Sequence, residues 1–243
     1  MAKLQSIPNI TFPTTVLQSW GAIWLGVSAS TVGKNKKPNS FDRKQAMDFG
    51  KALDPIVGNA IAQMLGGIPV QVPISQNALL PPVPDCVEVG DTRIIGGVRP
   101  QNFDMAYRPD GVRIAYDSKT LNDADSIKKN WQNMINDIAA EATTLHTRFR
   151  YALALFLVVI PEQALNSSQA EGIIHTLERM NERFGVDEEN HKAESIALVV
   201  WDAATGNISN TIPNMNSSLR IEKYAQRIEA VYTSRYKGLP PHN

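Results

Sequence analysis

The chain has 243 residues, 24 Lys+Arg against 24 Asp+Glu, one cysteine and 43% hydrophobic residues. This length suits one large domain or two small ones with a sizeable core, and the apolar fraction excludes wholesale disorder. Zero net charge argues against a protein that coats nucleic acid through bulk charge, without excluding a local basic cleft.

The opening MAKLQSIPNITFPTT lacks a basic start followed by an apolar run, so no secretory leader is expected. Val16 to Val27 is a short apolar stretch carrying Trp20 and Trp24, and the loop after it holds Lys34, Lys36 and Lys37 among Gly, Ser and Asn. From Phe41 to Leu65 the spacing of Phe41, Phe49, Leu53, Val57, Ile61 and Met64 predicts a helix that Pro55 should kink or split and Gly66-Gly67 should end. Short β-like runs follow at Ile68–Val72 and Cys86–Ile95. Phe103–Tyr107 and Val112–Lys119 flank Arg108-Pro109-Asp110-Gly111, a β-turn sequence, and together predict a hairpin. An amphipathic helix is expected from Asp125 to Leu145. The apolar run Tyr151–Ile160 reads as a strand buried on both faces; it is about half the roughly 20 residues needed to cross a bilayer, so no membrane span is expected. A helix at Ser168–Phe184, a strand at Ser195–Trp201 and a helix at Leu219–Tyr236 complete an α/β chain with a single mixed sheet. Cys86 alone allows neither an internal disulfide nor a cysteine-based zinc site, which fits a reducing, cytoplasmic setting.

One constellation rises above background: Asn102-Phe103-Asp104, then Asp117-Ser118-Lys119. Asp-x-Lys alone is weak, and a second copy, Asp42-Arg43-Lys44, sits where an acid simply caps a helix. On the hairpin, period-two alternation puts Asp117 and Lys119 on one face, and the apolar Phe103, Met105 and Tyr107 send Asp104 to that same face. Matching the apolar faces sets Tyr107 against Val112, Met105 against Ile114 and Asp104 against Ala115, diagonal to Asp117. Two carboxylates and a backbone carbonyl make an oxygen-rich site suited to Mg²⁺, which can activate water for phosphodiester hydrolysis, with a lysine beside it stabilising developing charge. Spacing alone is equally compatible with a cross-strand ion pair on a solvated sheet edge.

The segment GGVRPQNFDMAYRPDGVRIAYDSKTLND resembles the catalytic hairpin of the PD-(D/E)XK nuclease superfamily, especially its Type II restriction endonucleases. The resemblance spans about half the chain, from Phe41 to Ile160, in the order helix, three strands, helix, strand. It departs from the pattern in having Phe103, not Pro, before Asp104, whereas Pro84-Asp85 and Pro109-Asp110 spell the motif elsewhere. It implies a restriction-endonuclease-like core, with a central mixed five-stranded sheet flanked by helices, inside one nuclease domain. Residues 1–40 would form an N-terminal arm and basic loop, 41–160 the catalytic core, and 161–243 a C-terminal helix-strand-helix extension. Asp104, Asp117 and the Ser118 carbonyl would hold Mg²⁺, and Lys119 would position or deprotonate the attacking water. Asp48, Asp54 and Glu88 are candidates for a third acid. The expected activity is Mg²⁺-dependent cleavage of double-stranded DNA at a short symmetric site by a homodimer. A repair or recombination nuclease of the same fold and a catalytically inert DNA-binding protein are the alternatives.

Backbone contacts are expected from Lys34, Lys36 and Lys37, from Lys128, Lys129, Gln132, Asn133 and Asn136 on the helix after Lys119, and from the C-terminal Arg220, Lys223, Arg227, Arg235 and Lys237. Leu219, Tyr224, Ile228, Val231 and Tyr232 are a candidate dimer seam. The four histidines show no metal-ligand spacing, and the four tryptophans read as core.

Overall fold

The structure, a computed structural model, describes residues 3–26 and 37–242. Two helices lead into the sheet. The apolar stretch at Trp20 and Trp24 is a helix, α1 (Thr14–Leu25), which buries Leu17 and Trp24 and passes so close to the Ala203 carbonyl that Gly21 leaves no room for a Cβ. Asp42 caps α2 (Arg43–Met64) in a reciprocal box with Gln45, which accounts for the second Asp-x-Lys copy. α2 runs unbroken through Pro55, contrary to the expected split; burial of Leu53, Val57 and Ile61 along one face holds the helix across the missing N–H.

The sheet is mixed and has six strands in chain order: β1 (Val70–Gln71), β2 (Val87–Ile95), β3 (Pro100–Tyr107), β4 (Ile114–Thr120), β5 (Leu153–Pro161) and β6 (Ser195–Trp201). It has one strand more than expected because the two residues of β1 pair in parallel with Val87 and Glu88. β2, β3 and β4 form an antiparallel meander, while β4, β5 and β6 are parallel. α3 (Ile127–Arg148) and α4 (Ser167–Met180) are the two crossovers, and the expected order helix, three strands, helix, strand is present with the short β1 added before the three. Tyr116 reaches Asp54 of α2, and Tyr107 stacks near Tyr232 of α5 (Ile221–Tyr236), so α2 and α5 cover one face. Lys119 reaches Glu141 of α3, which lies on the other face with α4. Every residue of β5 and β6 is buried, as their continuous apolar runs demand of parallel strands covered on both faces, although β6 is the edge of the sheet.

Two expectations are corrected here. The β3–β4 register is Tyr107 against Ile114, Ala106 against Ala115 and Met105 against Tyr116, two residues displaced from the expected pairing. The loop is longer than a four-residue turn, because Arg113 N–H closes on the Tyr107 carbonyl while its guanidinium binds Asp110, keeping Val112 and Arg113 out of the strand. A shift of two preserves the faces. The second correction concerns the dimer seam: Leu219, Tyr224, Ile228, Val231 and Tyr232 are buried in this chain's own core, against the sheet. The C-terminal cations are likewise engaged in part, with Arg220 on Glu222, Arg227 on the Glu182 carbonyl and Arg235 on Glu194.

Glu194, just before β6, ties the parallel half of the fold together. Its buried carboxylate accepts from Arg183 (2.7 Å), Arg235 (2.8 Å) and the Ala154 N–H (2.7 Å), with His146 Nε2 at 3.1 Å. Burial opposes its ionisation, but these donors outweigh burial and hold it below the ordinary glutamate range. Glu194→Ala strands two buried arginines, so we expect a loss of about 3–5 kcal/mol. A urea unfolding curve with a lowered midpoint and an unchanged slope checks this.

Candidate active site

Extending the observed register by one residue sets Asp104 level with Asp117, at the point where β3 and β4 cease to pair. Because the pairing has ended, the Ser118 N–H has no strand partner, and Asp104 Oδ2 takes it at 2.9 Å together with the Ser118 hydroxyl at 2.8 Å. In an extended strand a residue's N–H and C=O leave on the same edge, so the Ser118 carbonyl faces the Asp104 side as well. Lys119 Nζ lies 2.5 Å from Asp117 Oδ2 and 2.8 Å from Glu141 Oε1, and Gln101 donates to the same Glu141 oxygen at 3.1 Å. Behind this group Tyr116 donates to Asp54 Oδ1 at 3.2 Å. Asp104, Asp117 and Ser118 line a cleft of about 250 Å³ whose other walls include Gly50 and Lys51 of α2 and Asp91 of β2.

Lys119 thus pairs with two carboxylates, Asp117 and Glu141, while Asp104 is held by Ser118 and Asp54 by Tyr116, with the Lys51 charge acting on Asp54 from α2. Among the described residues no cation other than Lys119 forms an ion pair with any of these four acids. The consequences appear in their acidities. Burial, reinforced by the Asp117 charge, pushes Asp104 up to about 8. Burial and the Asp104 charge push Asp54 up to about 8. Asp117 rises to about 7 through burial, opposed by Lys119 and reinforced by Glu141. Burial works against the Lys119 ammonium, yet Asp117 and Glu141 prevail and raise its pKa above the ordinary lysine value.

The expected trio of Asp104, Asp117 and Lys119 is thus brought together, with Ser118 between them. Of the three candidate third acids, Asp54 reaches the site; Asp48 is a surface partner of Lys44, and Glu88 is locked in a buried bidentate pair with Arg108 at 2.5 and 2.8 Å. Both literal Pro-Asp pairs are structural: Asp85 accepts from Tyr107, and Asp110 is clamped by Arg113. Lys128, Lys129, Gln132, Asn133 and Asn136 are exposed on α3 but do not line the cleft. Lys37 pairs with Asp125 at 3.3 Å, and Lys34 and Lys36 lie outside the described residues. Sequence reasoning missed Glu141, Lys51 and Asp91. Glu141 had a signal: it falls on the stripe Met134, Ile138, Glu141, Leu145 at helical spacing, an acid among core residues. Asp91 sits where the β2–β3 register shifts between Val89 and Thr92, and a bulge re-aims side chains without marking the sequence.

No protein-family model matches the chain, and no curated protein or solved structure matches it either. Among the described residues no helix is long and apolar enough to cross a membrane, and no group of three or more His, Cys, Asp or Glu is gathered as a ready metal cage. The fit to a metal therefore rests on the donor set itself: two carboxyls of opposed strands, a strand-end carbonyl on the same edge, and no protein cation paired with Asp104 among the described residues. That chemistry suits a hard divalent cation.

The raised acidities make a sign-definite prediction. Below about pH 4 native and unfolded chains are both protonated at these acids; between pH 4 and 8 the unfolded chain releases protons that the native site retains, so stability is lost as pH rises. Asp104→Asn removes one charge while keeping an acceptor for Ser118. In chelator at pH 8 this variant should melt on the order of 3 °C or more above wild type, and at pH 4 the two should coincide. Paired melting curves at the two pH values check this.

Proposed function

We propose that this chain is a Mg²⁺-dependent endonuclease of the PD-(D/E)XK kind that hydrolyses DNA phosphodiester bonds, acting as a Type II restriction enzyme. The observation that carries this reading is that Asp104 and Asp117 line one cleft while Lys119, one side chain behind it, is paired to Asp117, and that burial raises the pKa of both aspartates. The order of helices and strands around that cleft supports it. Asp104, Asp117 and the Ser118 carbonyl would hold the ion. Bound there, Mg²⁺ would supply Lewis acidity that acidifies a water and offsets charge on the phosphate under attack.

The chain's own residues divide the remaining work. Lys119 is held as an ammonium by two carboxylates, so it donates to the attacking water or to a phosphoryl oxygen and is no base. Glu141, itself held by Gln101, fixes where that ammonium points. Double-stranded DNA is the proposed substrate, with the exposed α3 stripe at Lys128 and Lys129 available to its backbone. A symmetric duplex site calls for a homodimer, whose contact must lie elsewhere than the apolar face of α5. A reducing cytoplasm belongs to the same reading, in keeping with the buried free thiol of Cys86.

The test is digestion of plasmid DNA with Mg²⁺. Wild type should give discrete fragments, whereas cutting confined to branched DNA would favour a repair nuclease and no cutting would contradict the proposal. Lys119→Ala and Asp104→Asn should each lose about 10²-fold or more in rate while Lys119→Ala still binds DNA. Asp110→Asn should cut at the wild-type rate, because Asp110 is a turn residue held by Arg113.

A further inference from the structure

Beside the carboxylate cleft lies a larger cavity of about 570 Å³, within the roughly 300–1,000 Å³ range of small-molecule sites. Lys51 and Asp91 line both, so the two form one trough running from the strand ends of β3 and β4 towards β1. The chemistry changes along it. At the carboxylate end it is acidic. At the junction stands Lys51, exposed on α2 and, among the described residues, in no ion pair. Beyond Lys51 the walls become mainly apolar, with Pro55 on one side and Val70, Val72, Pro73 and Val89 on the other, and the carboxyls of Asp54 and Asp91 stand at the end nearer the cleft. Val72 on the rim is 76% exposed, an apolar surface left open to solvent. Gln71, Ser75 and Gln76 add neutral donors and acceptors, Gln76 being held by Asp91 at 3.3 Å. Gly90 lines the same cavity with φ +129°, and a Cβ there would approach the Pro73 ring to 3.2 Å, so a side chain at this position would crowd the cavity wall.

An acidic metal site, then a cation, then a slot with apolar walls and amide hydrogen-bonding groups follows the order of groups along a nucleic-acid strand. A phosphate at Asp104 and Asp117 places the next phosphate towards Lys51 and the attached base in the slot, where flat aromatic faces meet apolar walls and base edges meet Gln and Ser. We propose that this cavity is a nucleotide subsite that takes one unstacked base of the DNA strand beside the scissile phosphate, with Lys51 on the intervening phosphate. The proposal rests on the nuclease reading and extends it to how the strand is seated. Unstacking one base costs a few kcal/mol, so the slot discriminates among DNA sites by how easily that base leaves the helix.

The experiment uses the full chain without metal, so cleavage plays no part in it. Amide shifts of Gln71, Ser75, Gln76 and Gly90 are followed during titration with each deoxynucleoside 5′-monophosphate and with deoxyribose 5-phosphate. The monophosphates should shift these amides and the base-free sugar phosphate should not. Lys51→Ala should weaken the effect about tenfold, as expected for loss of a charge-assisted hydrogen bond, and Ser75→Trp, which fills an exposed part of the cavity wall, should abolish it. A single-stranded thymidine 12-mer carrying one 2-aminopurine should brighten on binding wild type and stay dark with Ser75→Trp. Equal shifts from the sugar phosphate, shifts indifferent to Ser75→Trp, or a 12-mer that stays dark with wild type overturn the subsite. If the amides and the 12-mer respond as stated while plasmid is never cut, the nuclease reading fails and the nucleotide subsite stands.

Discussion

The site depends on a charge imbalance that the fold creates and leaves unresolved. Two treatments of a buried carboxylate exist side by side in this molecule. Glu194 receives two arginines, a histidine and a backbone N–H, and its acidity is enhanced. Asp117 and Glu141 share Lys119, Asp54 and Asp104 have no ion pair among the described residues, and the three aspartates are driven towards protonation. A chain able to neutralise the first carboxylate so fully has no structural need for the second group. Uncompensated buried charge is costly, and its persistence at a cleft points to a ligand that completes it.

The geometry follows from where pairing stops. β3 and β4 separate after Met105 and Tyr116, which frees the Ser118 N–H for Asp104 and leaves the Ser118 carbonyl on the same edge. Because β4 continues in parallel register with β5 down to Thr120, Asp117 and Lys119 stay anchored even though one edge of the strand is open. α2 closes the cleft from one face and α3 supplies Glu141 from the other. Lys119 is therefore fixed by two carboxylates on two elements, so the fold itself orients its ammonium.

Much of this was legible in the residues, for identifiable reasons. The two-residue period of Phe103, Met105 and Tyr107 against Ile114 and Tyr116 fixed which face Asp104 and Asp117 share, and a register error of two residues could not disturb that. The register itself was hidden, since it turned on Arg113 folding back to Asp110, a contact with no periodic signature. The buried runs of β5 and β6 announced parallel strands covered on both faces. α5 misled because its apolar stripe is the same whether it packs on its own sheet or on a second copy. Asp54 was one acid among several on or near α2, and only the fold shows that it, rather than Asp48 or Glu88, meets Tyr116. Lys51 and Asp91 carry no motif; they enter through the angle of α2 and the irregularity in β2.

The claim that these acids await a divalent cation is tested most directly by calorimetric titration of Mn²⁺ into the DNA-free protein near pH 7, repeated in two buffers of different ionisation enthalpy. An ion that replaces protons on Asp104 and Asp117 should bind with release of about one proton or more, so the apparent heat should differ between buffers, and Asp104→Asn should lose both the binding and the difference. Absence of binding, or binding with no proton release that survives in Asp104→Asn, would contradict the account.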